Sequence, residues 1–292
     1  MNKVFEIITA KILEALDKGV VPWHKPWKGS DHPRNLISGN KYSGINVWLL
    51  LGSAIVSGYG SPYWLTFNQC KNLGGNVRKG EKSSVVVFWK STHVKTISKE
   101  DPDTGEVVEE NVTVPVLRYY RVFNIEQCEG IEKPKDDSVV IENFNPIDRA
   151  ESIINDMPNK PKIDHVLARA FYSPSEDRVN LPQKESFYSE EEYYSTAFHE
   201  LAHSTGHKSR LDRFNSTSFQ GNGYSEEELV AEMTAAFLTA ESNIDTPEVL
   251  QNSVSYLDSW RKKISDDPKL IVYASGKAQK AANYILNIVN NS

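Results

Sequence analysis

His199-Glu200-Leu201-Ala202-His203 constrains this chain more than any other stretch of its 292 residues. Residues four apart on a helix share a face, with Cβ atoms roughly 5–6 Å apart. A helix here would therefore present two imidazoles to one metal ion. Glu200 stands between them, where a carboxylate can take a proton from water activated by that metal. The flanking residues suit a buried helix, because Phe198, Leu201 and Ala202 are apolar or small. Ser189 with Glu192 reads as a capping box that predicts the start of the helix, and Gly206 predicts its end. Such a string also arises by chance, so the rest of the chain has to supply a third ligand and a setting.

A catalytic zinc site has three protein ligands and one open position. The pattern continues to Gly206 as in metzincins, which expect a third histidine at position 209. This chain has Ser209 there, His207 comes two residues early, and Met233 falls inside a predicted helix rather than a turn. Downstream, Glu226-Glu227-Glu228-Leu229-Val230-Ala231-Glu232 opens a helix with Glu228 and Glu232 on one face. That arrangement resembles glutamate-type zinc peptidases. By analogy Glu228 is the third ligand of one Zn2+ per chain, and Glu232 hydrogen-bonds a ligand histidine. Ser225-x-x-Glu228 is also a capping box, and if Glu228 caps the helix then Glu232 takes the metal. Tyr224, His207 and Arg210 are each near enough in sequence to stabilise an oxyanion, and spacing does not choose among them. Val179-Asn180-Leu181 reads as a strand ahead of the motif helix. It is either an edge that pairs with an extended peptide or an ordinary sheet strand.

The composition, 39% hydrophobic and 25% charged, is that of a globular chain long enough for two domains. Two cysteines without CxxC spacing exclude a disulfide scaffold and fit a reducing cytoplasm. No apolar run approaches the ~18 residues of a membrane span, and no signal peptide is visible. An intracellular protein target is the expectation. Helical spacing predicts a helix over 3–17, the apolar run 45–55 reads as a second helix, and 64–73 reads as a short one ended by Gly74-Gly75. Strand signals cover 84–89, 112–117 and 118–123, with Pro115 confining the middle one to an edge. The acidic stretch 99–110 reads as a solvated hairpin loop. Further helices are predicted at 225–240, 247–264 and 277–289. The expected architecture is α+β in two domains. A mixed α/β domain at 1–130 is followed by a linker at 131–144 and a mainly helical zincin-like domain at 145–292.

The net charge of -6 conceals an asymmetry. Residues 1–99 carry 14 Lys/Arg against 5 Asp/Glu, and the remainder carries 19 against 34. A basic first third implies an anionic partner. Five of the six tryptophans also lie in the first 89 residues. Interleaved aromatic and basic residues suit single-stranded DNA, which needs faces for bases and cations for phosphates. Trp48 and Trp64 sit in apolar runs and are expected in the core. Trp23 and Trp27, set among prolines and lysines, are expected to be exposed for stacking. Lys25, Lys28, Arg34, Lys41, Arg78, Lys79 and Lys82 are the candidate phosphate contacts. Arg78-Lys79-Gly80-Glu81-Lys82 lacks the P-loop spacing, which argues against nucleotide hydrolysis.

Longer strings carry a family resemblance. PWHKPW, PRNLISGNKYSGINVWLL, SPYWLTFNQCKNLGGNVRKGEKSSVVVFWK and YYRVFNIEQC resemble the N-terminal domain of ArdC-type antirestriction proteins, and the N-terminal part of plasmid TraC primases. FHELAHSTGHKSRLDR followed by EELVAEMTAAFL resembles the zincin-type C-terminal domain of the former. The resemblance implies a protein of mobile elements that binds single-stranded DNA and shields incoming DNA from restriction. It carries His199, Glu200, His203 and Glu228 over by position. Two rival functions remain: a binding protein with a structural or vestigial zinc site, and a peptidase that cleaves a repressor. An intact Glu200 disfavours the first. The lack of a helix-turn-helix pattern disfavours the second.

Overall fold

The computed structural model describes residues 3–23, 32–100, 107–132, 134, 145–214, 221–244 and 257–288. Helix α1 (Lys3–Asp17) buries Phe5, Ile8, Ile12 and Leu16 at the predicted helical spacing. Helix α2 (Ile45–Ser57) is apolar on nearly every side because it lies in the centre of its unit, and Gly58 closes it at a left-handed φ of 73°. The strands of this half are β1 (Arg34–Asn35), β2 (Tyr63–Leu65), β3 (Asn76–Val77), β4 (Ser84–Glu100), β5 (Val107–Asn124) and β6 (Cys128–Glu129). Four of them form a sheet in the order β1-β2-β5-β4, and β3 pairs with β6.

Two sequence expectations change here. The helix expected over 64–73 starts later. Trp64 lies in β2, and α3 (Phe67–Asn72) begins only after Thr66, which forms a capping box with Gln69. That box satisfies two orphan N–H groups reciprocally and sets the boundary. The stretches 112–117 and 118–123 form one continuous strand. Pro115 is accommodated because it lies opposite a bulge between Lys90 and His93, where β5 pairs with β4 alone.

The second half begins with α4 (Pro146–Asn155), capped by the Asn145 side chain. Most of the expected linker at 131–144 lies outside the described residues. A small sheet follows, with β7 (Lys162–Asp164), β8 (Phe171–Ser173) and β9 (Arg178–Asn180) in the order β7-β9-β8. Val179-Asn180 is therefore the middle strand, hydrogen-bonded on both sides, and the edge-strand reading fails. Then come α5 (Glu190–Ser204), α6 (Gly221–Glu241), α7 (Leu257–Asp266) and α8 (Leu270–Ile285).

The domains are chemically distinct but share a core. One apolar cluster runs from Ile8, Trp48 and Leu49 to Phe237, Trp260 and Ile271. The rings of Trp48 and Phe237 are 4.3 Å apart. Thr9 Oγ1 donates to the Pro268 carbonyl, the Gly44 N–H donates to Gln279 Oε1, and Arg261 pairs with Asp17. Trp23 belongs to this same cluster and is 3% exposed. The expectation that it stands in solvent for stacking is corrected: the turn after α1 folds its indole inward.

Candidate metal centre

Helix α5 presents the motif. Ser189 caps it by accepting the Glu192 N–H, and three glutamates in the first turn complement its positive end. Ala197, Phe198, Leu201 and Ala202 are fully buried, so the helix cannot turn and its two histidines face one way. The helix ends at Thr205 in right-handed conformation, so Gly206 is not a left-handed cap. Gly206 is needed for space, because a Cβ there would lie 2.3 Å from the ring of Phe214.

Helix α6 supplies the acid. It begins at Gly221, four residues before Ser225, so Ser225 is not a helix cap and the capping reading of Glu228 falls. The structure brings His199, His203 and Glu228 together. His199 Nε2 and His203 Nε2 are 3.2 Å apart, and Glu228 Oε2 and Oε1 lie 3.6 and 3.5 Å from them respectively. A tetrahedral ion with bonds of roughly 2.0–2.1 Å requires ligand atoms roughly 3.4 Å apart. Each imidazole is near that separation from one Glu228 oxygen, and one donor atom from each of the three residues lies within 4.8 Å of the others, so the set is close enough to share one metal ion.

The surroundings are polarised. Glu200 is 8% exposed, and burial raises its pKa despite the nearby histidines. The Tyr172 backbone, on β8, works the other way and lowers it slightly. Burial also raises Glu232, beside His199. Burial opposes a charge on His199, but the Glu228 carboxylate 3.6 Å away and the fields of Glu232 and Glu200 outweigh burial and push it up to about 9. Several carboxylates crowd this site, a setting that attracts a dication.

A carboxylate that the sequence did not single out, Glu227, meets a motif histidine from behind, while Glu232 acts on His199 through its charge. Glu227 Oε1 lies 3.2 Å from His203 Nδ1. Arg213 in turn grips Glu227 through Nη2 at 2.6 Å and Nε at 3.0 Å. Burial opposes ionisation of Glu227, but the hydrogen bonds from His203 and Arg213 outweigh it and hold its pKa below the usual carboxylate range. An acceptor on Nδ1 keeps the proton there and leaves the Nε2 lone pair free for a metal. Sequence reasoning missed both residues. Glu227 sits in a run of three glutamates, and no spacing rule links it to Arg213.

The three candidates for oxyanion stabilisation fare differently. Arg210 is 1% exposed and bonded to Asp177, Tyr172 and the carbonyls of Ser204 and Asn159, which makes it a structural clamp. His207 bonds Ser209 Oγ at 2.8 Å, outside the metal cluster. Nothing is described for the Tyr224 side chain. Met233 is fully buried within α6.

Of the candidate DNA contacts, Arg34 and Lys41 are joined by a β-bridge, with the Arg34 guanidinium 5.8 Å from the Tyr63 ring centre. Arg78, Lys79 and Lys82 are exposed on the turn between β3 and β4, and Arg78 is tied to Glu81 at 2.6 Å. Lys25, Trp27 and Lys28 lie outside the described residues.

Comparison with known proteins agrees with this architecture. Residues 2–123 match the family model for the N-terminal domain of anti-restriction factor ArdC, and residues 148–277 match the zincin-like metallopeptidase model. The crystal structure of the antirestriction ArdC protein from the R388 plasmid, metal-free, is 36% identical, covers 96% of both chains and superposes with a TM-score of 0.71. Its Mn(II)-bound structure is 34% identical, covers 98% of both chains and gives 0.74. The chain belongs to the ArdC antirestriction family. Two DNA primases TraC of Escherichia coli are 36% and 34% identical over 96% of this ArdC-family chain, which spans only 27% and 20% of their lengths. An uncharacterized protein of Sinorhizobium fredii is 32% identical over 97% of this chain and 91% of its own. The Mn(II)-bound relative and the zincin-like match together point to a divalent metal.

Proposed function

We propose that this protein binds single-stranded DNA through residues 1–130 and carries a zinc metallopeptidase site in residues 145–292, joined through 131–144. In this reading it acts in the bacterial cytoplasm, where it protects DNA entering the cell from restriction. The single observation that carries the enzymatic half is the convergence of His199, His203 and Glu228, one donor atom of each within 4.8 Å of the others, with Glu200 buried beside them. These three residues would hold Zn2+, which suits two imidazoles and a carboxylate. When bound, the ion supplies a Lewis acid that acidifies water and polarises a carbonyl.

The chain's own groups do the rest. Glu200 accepts a proton at its carboxylate and returns it to a leaving nitrogen. Its raised pKa brings it nearer to neutral pH, where such exchange is efficient. Glu227 and Arg213 orient His203. Glu232 adds negative charge beside His199. No helix among the described residues is long and apolar enough to cross a membrane.

Glu200→Gln tests the enzymatic half. The variant keeps its metal and fold, and any hydrolysis falls by orders of magnitude. If it still protects DNA entering a restricting host, proteolysis is not the means of protection. If protection is lost while DNA binding and fold are intact, proteolysis of a host factor is.

A further inference from the structure

We infer that single-stranded DNA is held in a groove walled by both domains, with its bases stacked on Phe88 and Tyr120. This rests on the DNA-binding reading above and gives it a place. A cavity of 500 Å³ lies between the segment 35–46, Val87-Phe88 of β4, and Val272, Ser275 and Gly276 of α8. Its one charged lining residue is Lys41, and no carboxylate lines it.

The mouth of this groove carries unusual side chains for a surface. Phe88 is 48% exposed and Tyr120 46% exposed. Their rings meet edge to face, with centres 5.5 Å apart. Arg118 lies directly opposite Phe88 in the β4–β5 register and is exposed. Two exposed aromatic faces with a guanidinium beside them and a lysine in the adjoining groove match the chemistry of a single strand. Stacking takes any base by its π-face, and cations follow the phosphates. A duplex keeps its base faces covered and cannot use the rings. The groove also differs from the exposed cations Arg78, Lys79 and Lys82, which lie over no aromatic ring among the described residues.

The wall from α8 makes the groove a property of the whole chain. An added Cβ at Gly276 meets nothing within 4 Å, so a side chain there enters open space without disturbing the helix. Glutamate and lysine both favour helix over glycine, so neither substitution weakens α8 itself.

The test measures binding of a labelled oligothymidylate to the full-length protein, with oligouridylate and duplex DNA as comparisons. Phe88→Ala and Tyr120→Ala should each weaken binding roughly five- to hundredfold, the loss of one stacked base. Lys41→Gln should flatten the salt dependence by about 0.7 in log–log slope. Gly276→Glu should weaken binding at least severalfold, and Gly276→Lys should preserve or strengthen it. If the wild-type protein binds and Phe88→Ala, Tyr120→Ala and Gly276→Glu all bind equally well, the groove is wrong and the DNA-binding reading stands. If the wild-type protein binds no single strand, or prefers duplex, both fall.

Discussion

Replacing Arg213 by methionine separates the structural and metal-orienting roles of the buried pair. Arg213 and Glu227 are 8% and 7% exposed, and two hydrogen bonds join them. Arg213→Met leaves the Glu227 carboxylate buried without its counter-charge. Breaking a buried pair in this way costs about 3–5 kcal/mol. That is a large fraction of the roughly 5–15 kcal/mol that holds most proteins folded. The Ala202 carbonyl, which Arg213 Nη2 also reaches at 2.7 Å, keeps the Thr205 hydroxyl at 2.6 Å, so the loss is mainly electrostatic. The double variant Arg213→Met, Glu227→Leu removes both charges and should regain most of that stability, because apolar replacement of a buried pair is often neutral or better. It should not regain metal affinity. His203 Nδ1 then lacks its acceptor, and loss of such a partner weakens binding roughly 10–100-fold. Urea unfolding of metal-free protein measures the first quantity, and competition with a chelator measures the second. Stability of Arg213→Met within about 0.5 kcal/mol of wild type, the range of ordinary surface substitutions, would refute the buried-pair argument. Full metal affinity in the double variant would refute the orienting role of Glu227.

Trp23→Ala should destabilise the fold by about 3–5 kcal/mol, because the indole is 3% exposed in the shared core. Unchanged unfolding with weakened DNA binding would instead return Trp23 to the surface. Gly206→Ala should cost about 1–3 kcal/mol through its clash with Phe214, and Phe214→Leu should relieve part of it. Additive costs in the double variant would show that the two do not meet. Metal uptake should release a proton, because His199 stays protonated up to about 9 in the metal-free chain and a ligand imidazole must be neutral. Affinity should therefore rise with pH and level off near 9, and a pH-independent affinity measured by chelator competition would contradict this.

Much of the metal centre was legible in one dimension. HExxH spacing depends only on helical geometry, and the chain places no breaker in α5, so His199, Glu200 and His203 follow from local sequence. The α1 and α2 helices were equally plain, since the apolar periodicity of α1 and the continuous apolar run of α2 are matched by the burial they find. The opposite charges of the two ends were also legible, because charge needs no fold to be counted. Local sequence could not say where α6 begins. That boundary decides whether Ser225 and Glu228 form a capping box, and the helix start at Gly221 places Ser225 inside the helix instead. Nor could it pair Arg213 with Glu227, or seat Trp23 in a core built from both domains, or place β9 between two neighbours. Each of these depends on contacts between residues far apart in the chain, and their energies arise only when tertiary packing removes the groups from water.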